Sequence, residues 1–146
     1  MHRVVAFPPE TYDTVRAVSG ERRAPRRTTV TEARLSGLAA ELEIVGRRVD
    51  TLRETLRLPE ADPPDVVETR LDPSALRALR AECRGHAEAL WAERPVEPLL
   101  ERWEADAQQW FTPGERRLAG GYETVRTLAD VADVAIDAGV ALRVRG

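Results

Sequence analysis

Cys83 and His86 are the only nameable pair in this chain with the side chains for covalent or metal chemistry. They stand three residues apart, a spacing that places both on one face of a helix. A thiolate beside an imidazole base is a nucleophile, and Cys-His spacing is also a fragment of a zinc site. Cys83 is the only cysteine, however, and the one other histidine is His2. A zinc ion would lack ligands. Both residues also fall on the stripe that packs their helix, so a buried thiol and a hydrogen-bonded core histidine are the simpler expectation.

Three further groups could bind without reacting. Asp130, Asp133 and Asp137 share one narrow strip, suited to a divalent cation or a partner's arginines, but no Glu-x-x-His pair of a di-metal bundle accompanies them. A solvated helix face is the expectation there. Arg22, Arg23, Arg26 and Arg27 surround Pro25 in a stretch without an apolar anchor, and could grip phosphates or dock an acidic partner. No aromatic residues are interleaved with them. Trp91, Trp103 and Trp110, with Tyr122, hold most of the aromatic surface of a chain that is 5% aromatic. Together with His86 they could line a pocket between helices, or they fill the bulkiest layer of the core.

Composition limits the function further. All 22 basic residues are arginine and no asparagine occurs, a bias that a G+C-rich genome explains without guanidinium chemistry. Residues 1–58 hold 11 arginines against 8 acids, and residues 59–146 hold 11 against 17. The net charge of −3 and pI near 5.5 disfavour a nucleic-acid binder. No apolar run reaches the roughly 18 residues of a membrane span, and no signal peptide is evident. The expectation is a cytoplasmic protein with no metal and no cofactor. No phosphate loop, nucleophile elbow or dinucleotide fingerprint is present.

The elements that must position these residues are helices. Leu35, Leu38, Leu42, Val45, Val49, Leu52 and Leu56 alternate steps of three and four, a heptad seam that predicts one long helix over about 30–57. Thr29 and Glu32 have capping-box spacing at its start, and Pro59 stands after its end. Arg48 and Arg53 would repel in a parallel dimer, whereas an antiparallel neighbour would let Glu41 meet Arg48; Ile44, off the seam, should touch a further neighbour. Residues 58–72 read as a Pro- and acid-rich linker, and 21–28 as an exposed Arg-rich loop.

Asp72-Pro73 opens a second helix carrying Leu76, Leu79, Cys83, His86 and Leu90. A third should follow Pro95 and Pro98, with Leu100, Trp103, Ala107 and Trp110 on one stripe. Thr112-Pro113-Gly114-Glu115 is a capping box that starts the last helix, apolar on most of its circumference and therefore expected at the centre. Residues 9–18 suit a short helix. Residues 140–145 alternate like a strand and could pair with residues 3–7.

The predicted fold is all-α: one domain over 1–146, an antiparallel bundle of four long helices plus a short N-terminal one. The predicted function is non-enzymatic: an accessory, immunity-like or antitoxin-like protein with a protein partner or a homo-oligomeric state. A small-ligand bundle with an aromatic pocket is the alternative, and a Cys/His-dependent enzyme comes third.

Overall fold

The computed structural model describes residues 2–20, 26–62 and 65–146, and it corrects the all-α expectation. Among the described residues there are six α-helices and a four-stranded antiparallel sheet, so the fold is α+β. In chain order the elements are β1 (His2–Ala6), α1 (Tyr12–Ser19), β2 (Arg27–Thr31), α2 (Glu32–Ile44), α3 (Asp50–Thr55), β3 (Glu68–Leu71), α4 (Pro73–Glu93), α5 (Val96–Glu104), α6 (Pro113–Ala138) and β4 (Leu142–Arg145). One-turn 3-10 helices lie at Pro9–Thr11 and Gln108–Trp110.

The sheet order is β2-β1-β4-β3. The terminal segments do pair, with Val5 opposite Val144. Two more strands flank them where a helix start and a linker were expected. Arg27-Thr28-Thr29-Val30-Thr31 is rich in β-branched residues, which suit a half-buried pleated surface. Side chains alternate across a strand, so Val5, Val30, Leu71, Leu142 and Val144 turn into the core beneath the helices. Val4, Ala6, Arg27, Arg143 and Arg145 fall on the opposite face.

The predicted helix over 30–57 is two helices. Val45 closes α2, Gly46 takes the left-handed conformation at φ 74°, and the chain turns back on itself. Arg47 N–H donates to Leu42 O (2.7 Å) and Gly46 N–H to Glu43 O (3.0 Å), the paired bonds of a Schellman stop. Six of the seven seam residues are still buried and Val45 partly so, because α3 swings Leu52 and Leu56 back into the core. The N-cap is Thr31, whose Oγ1 accepts from Arg34 N–H, and not Thr29, which lies in β2. Arg48 pairs with Asp50 and not Glu41, and Ile44 is 64% exposed instead of meeting a further neighbour.

The helix expected to run on to Trp110 also stops early. Asp106 adopts φ 57°, Ala107 N–H returns to Arg102 O and Asp106 N–H to Trp103 O, so α5 ends at Glu104, one residue beyond Trp103. Leu99 rather than Leu100 is its buried leucine. By contrast α4 begins at Pro73 with Asp72 capping Ala75 N–H, and Leu76, Leu79, Cys83, His86 and Leu90 are all buried, as the spacing predicts.

Helix α6 is the centre. It packs against α1, α2, α4, α5 and β2, and its buried residues run round most of its circumference. Gly121 lets α2 approach closely: a Cβ there would lie 3.2 Å from Leu38 Cδ1 and 3.4 Å from Leu38 Cα. The Gly120-Gly121 pair is thus a crossing point for two helices.

Candidate functional site

That crossing leaves an open-mouthed groove of about 530 Å³ between α2, the end of α5 and the first three turns of α6. Its floor is Gly37, Gly120 and Gly121, where backbone takes the place of side chains. Trp103 and Phe111 form the far wall, with ring centroids 6.1 Å apart and tilted 49°. Arg34, Arg116 and Arg117 complete the lining.

Each wall is set by a local device. The Thr112–Glu115 capping box is formed in both directions, and Arg102 Nη1 donates to Glu115 Oε2 at 2.8 Å. The Thr112 N–H, followed by the Arg102 guanidinium and the Thr112 hydroxyl, holds the Glu115 carboxyl below its ordinary value. Arg102 also lies 4.5 Å over the Phe111 ring, fixing it against Trp103. Arg116 Nη2 donates to Gln108 O, tying the 3-10 turn to α6. Trp110 on that turn is 75% exposed, the most exposed large apolar residue described.

The charge around the groove is positive. Arg34 and Arg116 have no acidic partner among the described residues. Arg117 shares one carboxylate, Glu41, with Arg94. The Arg117 stem crosses Gly37, whose missing side chain leaves room for it: a Cβ there would lie 3.3 Å from Arg117 Cγ. An apolar floor with aromatic walls and an excess of guanidinium groups suits an acidic occupant carrying apolar anchors. Neither Arg34, Arg116 nor the buried Glu41 was singled out as a site residue by sequence. Gly120-Gly121 was the one available signal, since two glycines inside a helix imply close approach.

The sequence-derived candidates are scattered over the molecule. Trp103 is in the groove, whereas Trp110 is not among the residues that line it. Trp91 is 46% exposed on α4 and packs at a tilt of 41° on Tyr122 (centroids 5.7 Å), with the Arg126 guanidinium 6.0 Å from the centroid of the Tyr122 ring. His86 is buried in α4 with Nε2 3.3 Å from Glu82 Oε1, and the same oxygen accepts Leu52 N–H at the start of α3. The expected pocket of Trp103, Trp110, Tyr122 and His86 is therefore not assembled, because the early stop of α5 separates the tryptophans from each other and α4 holds His86 inward.

Cys83 is fully buried beside His86, and its thiol is pushed up to about 12 by burial and then by the Glu82 charge. A thiol so placed is inert at neutral pH. Asp133 pairs with Arg80 (2.9 Å) and Arg84 (3.1 Å), locking α6 to α4, whereas Asp130 and Asp137 are exposed. Arg26 lies 4.8 Å over the Tyr12 ring, Arg27 is on β2, and Arg22 and Arg23 fall outside the described residues. Among the described residues no group of three or more His, Cys, Asp or Glu side chains is placed to hold a metal ion, and no helix is long and apolar enough to cross a membrane.

Compared with protein-family models, curated proteins and solved structures, the chain matches none.

Proposed function

We propose that this chain is a non-enzymatic interaction protein that docks an acidic, amphipathic segment of a protein partner in the groove between α2, α5 and α6. The observation that carries the reading is the conjunction of Arg34 and Arg116, lacking acidic partners among the described residues, with the aromatic wall of Trp103 and Phe111. A segment with one large apolar side chain and flanking carboxylates would fill the hollow and pair with the rim. Aromatic and arginine residues of this kind are enriched among binding hot spots. Exposed Trp110, next in sequence to Phe111 of the groove, offers a further apolar anchor. The inert Cys83 supports a binding role over nucleophilic catalysis. A cytoplasmic partner fits a chain with a single, reduced thiol.

Photo-crosslinking tests this reading. A photoreactive amino acid is placed at Ala33 or Pro113, which line the groove, and at exposed Asp130 as a control, in the native host. Crosslinks from the two groove positions to an acid-rich segment of one protein, absent at Asp130, are expected. Equal capture at all three positions, or crosslinks to segments without acidic residues, would overturn it.

A further inference from the structure

A second hollow lies on the outer face of the sheet, away from the docking groove. Val4 and Ala6 of β1 form its floor, and Arg27 of β2 rises on one side, with Arg143 and Arg145 of β4 on the other. Its volume is about 440 Å³, within the usual range of roughly 300–1,000 Å³ for small-ligand sites. The register dictates the arrangement. Ala6 is paired with both Arg27 and Arg143, and Val4 with Arg145, so three arginines surround one apolar patch on a rigid four-stranded platform. Backbones two residues apart on β4 are separated by about 6.5 Å, and β2 lies two strand spacings from β4, about 9.5 Å. Guanidinium groups on such a frame can converge on one anion.

The charge balance indicates which anion. Arg27, Arg70, Arg143 and Arg145 share this face with Glu68, which lies 3.6 Å from both Arg143 and Arg145, and Arg70 reaches Glu10 at 3.6 Å. The guanidinium groups of this face outnumber the Glu68 and Glu10 carboxylates. Arg143 Nε is buried and faces Glu68 Oε2 at 3.6 Å, beyond hydrogen-bonding distance. Guanidinium forks bind phosphate oxygens in pairs, and a phosphate monoester carries about −1.5 to −2 charges at pH 7. Carboxylates and phosphodiesters carry one. We propose that the outer face of the sheet is a phosphate-dianion site, with Arg27, Arg143 and Arg145 holding the phosphate and Val4 and Ala6 accepting an apolar group attached to it.

Isothermal titration calorimetry of the full chain at constant ionic strength decides this, with phenyl phosphate, inorganic phosphate and phenyl sulfate as probes. Phenyl phosphate should bind at one site with Kd in the range of about 0.1–1 mM. Arg27→Ala and Arg145→Ala, both on exposed sheet positions, should each weaken it roughly tenfold while leaving the circular dichroism spectrum unchanged. Phenyl phosphate binding more tightly than inorganic phosphate identifies a phosphorylated organic ligand, and equal binding identifies free phosphate. The proposal is overturned if neither phosphate binds, if phenyl sulfate binds as well as phenyl phosphate, or if binding survives the Arg27→Ala/Arg145→Ala double substitution.

Discussion

Glu41 Oε2 lies 3.2 Å from Arg94 Nη1, and the glutamate side chain is only 1% exposed. Its other oxygen is 3.7 Å from Arg117 Nε. One carboxylate thus joins α2 to the residue that follows α4 and to the first turns of α6, directly behind the docking groove. The two arginines reach water, and the glutamate does not. Removing different members of this cluster therefore has unequal consequences. Arg94→Ala leaves a buried carboxylate with one distant partner and should cost about 3 kcal/mol. Glu41→Met leaves two arginines that can hydrate, and should cost less than half of that, roughly 1 kcal/mol. Urea unfolding of the two variants checks the order, and a costlier Glu41→Met would refute this account of the cluster.

The helix crossing at Gly121 predicts opposite outcomes for adjacent glycines. Gly120 has room, since a Cβ would lie 3.8 Å from Trp103. Gly120→Ala should stabilise by about 0.5–1 kcal/mol through helix propensity alone. Gly121→Val must push Leu38 and the α2 backbone away, and should destabilise by about 1–3 kcal/mol. Thermal unfolding of both variants provides the comparison.

Much of the helical framework was legible in the sequence, and the reasons it stopped being legible are physical. Asp72-Pro73 and the Thr112–Glu115 box are local chemistry, so they mark the starts of α4 and α6 in any context. A heptad seam says only which residues are buried. Leu52 and Leu56 satisfy it from a separate short helix after the Gly46 turn, and nothing in the spacing distinguishes that from one continuous helix. The stop at Asp106 is harder still, because it uses a left-handed conformation at a residue other than glycine. Strand β2 was hidden because Thr28-Thr29-Val30-Thr31 also resembles the approach to a helix cap. The groove depends on the stop at Asp106, which places Trp103 beside Phe111 and leaves Trp110 outside. The sheet-face arginines were accessible in principle: the alternation of Arg143 and Arg145, joined to the pairing with β1, puts both on the side away from the core.

Burial of Cys83 has a consequence for alkaline stability. Its thiol rises from 9.0 to about 12 in the folded chain. The unfolded chain therefore loses this proton first as the pH rises. The stability tied to it is complete below about pH 9 and declines by about 1.4 kcal/mol per pH unit above that, until the folded thiol ionises near 12. Cys83→Ala should flatten this decline. A thiol-specific disulfide reagent should leave the native protein unlabelled at pH 8 and label it on addition of denaturant; rapid native labelling would contradict the buried placement.

Glu82 accepts the Leu52 N–H at 2.9 Å while facing His86, so it serves as a remote cap for α3. Glu82→Ala should cost about 1–2 kcal/mol and loosen α3 selectively. Amide hydrogen exchange would show faster exchange across residues 50–56 with α6 unchanged. Uniform loss of protection would assign Glu82 to global stability instead.

The docking groove is tested most directly by native mass spectrometry of the protein drawn gently from its own host, wild type beside Arg34→Glu/Arg116→Glu. A heteromeric mass is expected for the wild type, and the bare chain for the charge-reversed variant at unchanged fold. A heteromer that persists in the variant, or a wild-type protein that emerges without a partner, would contradict docking there.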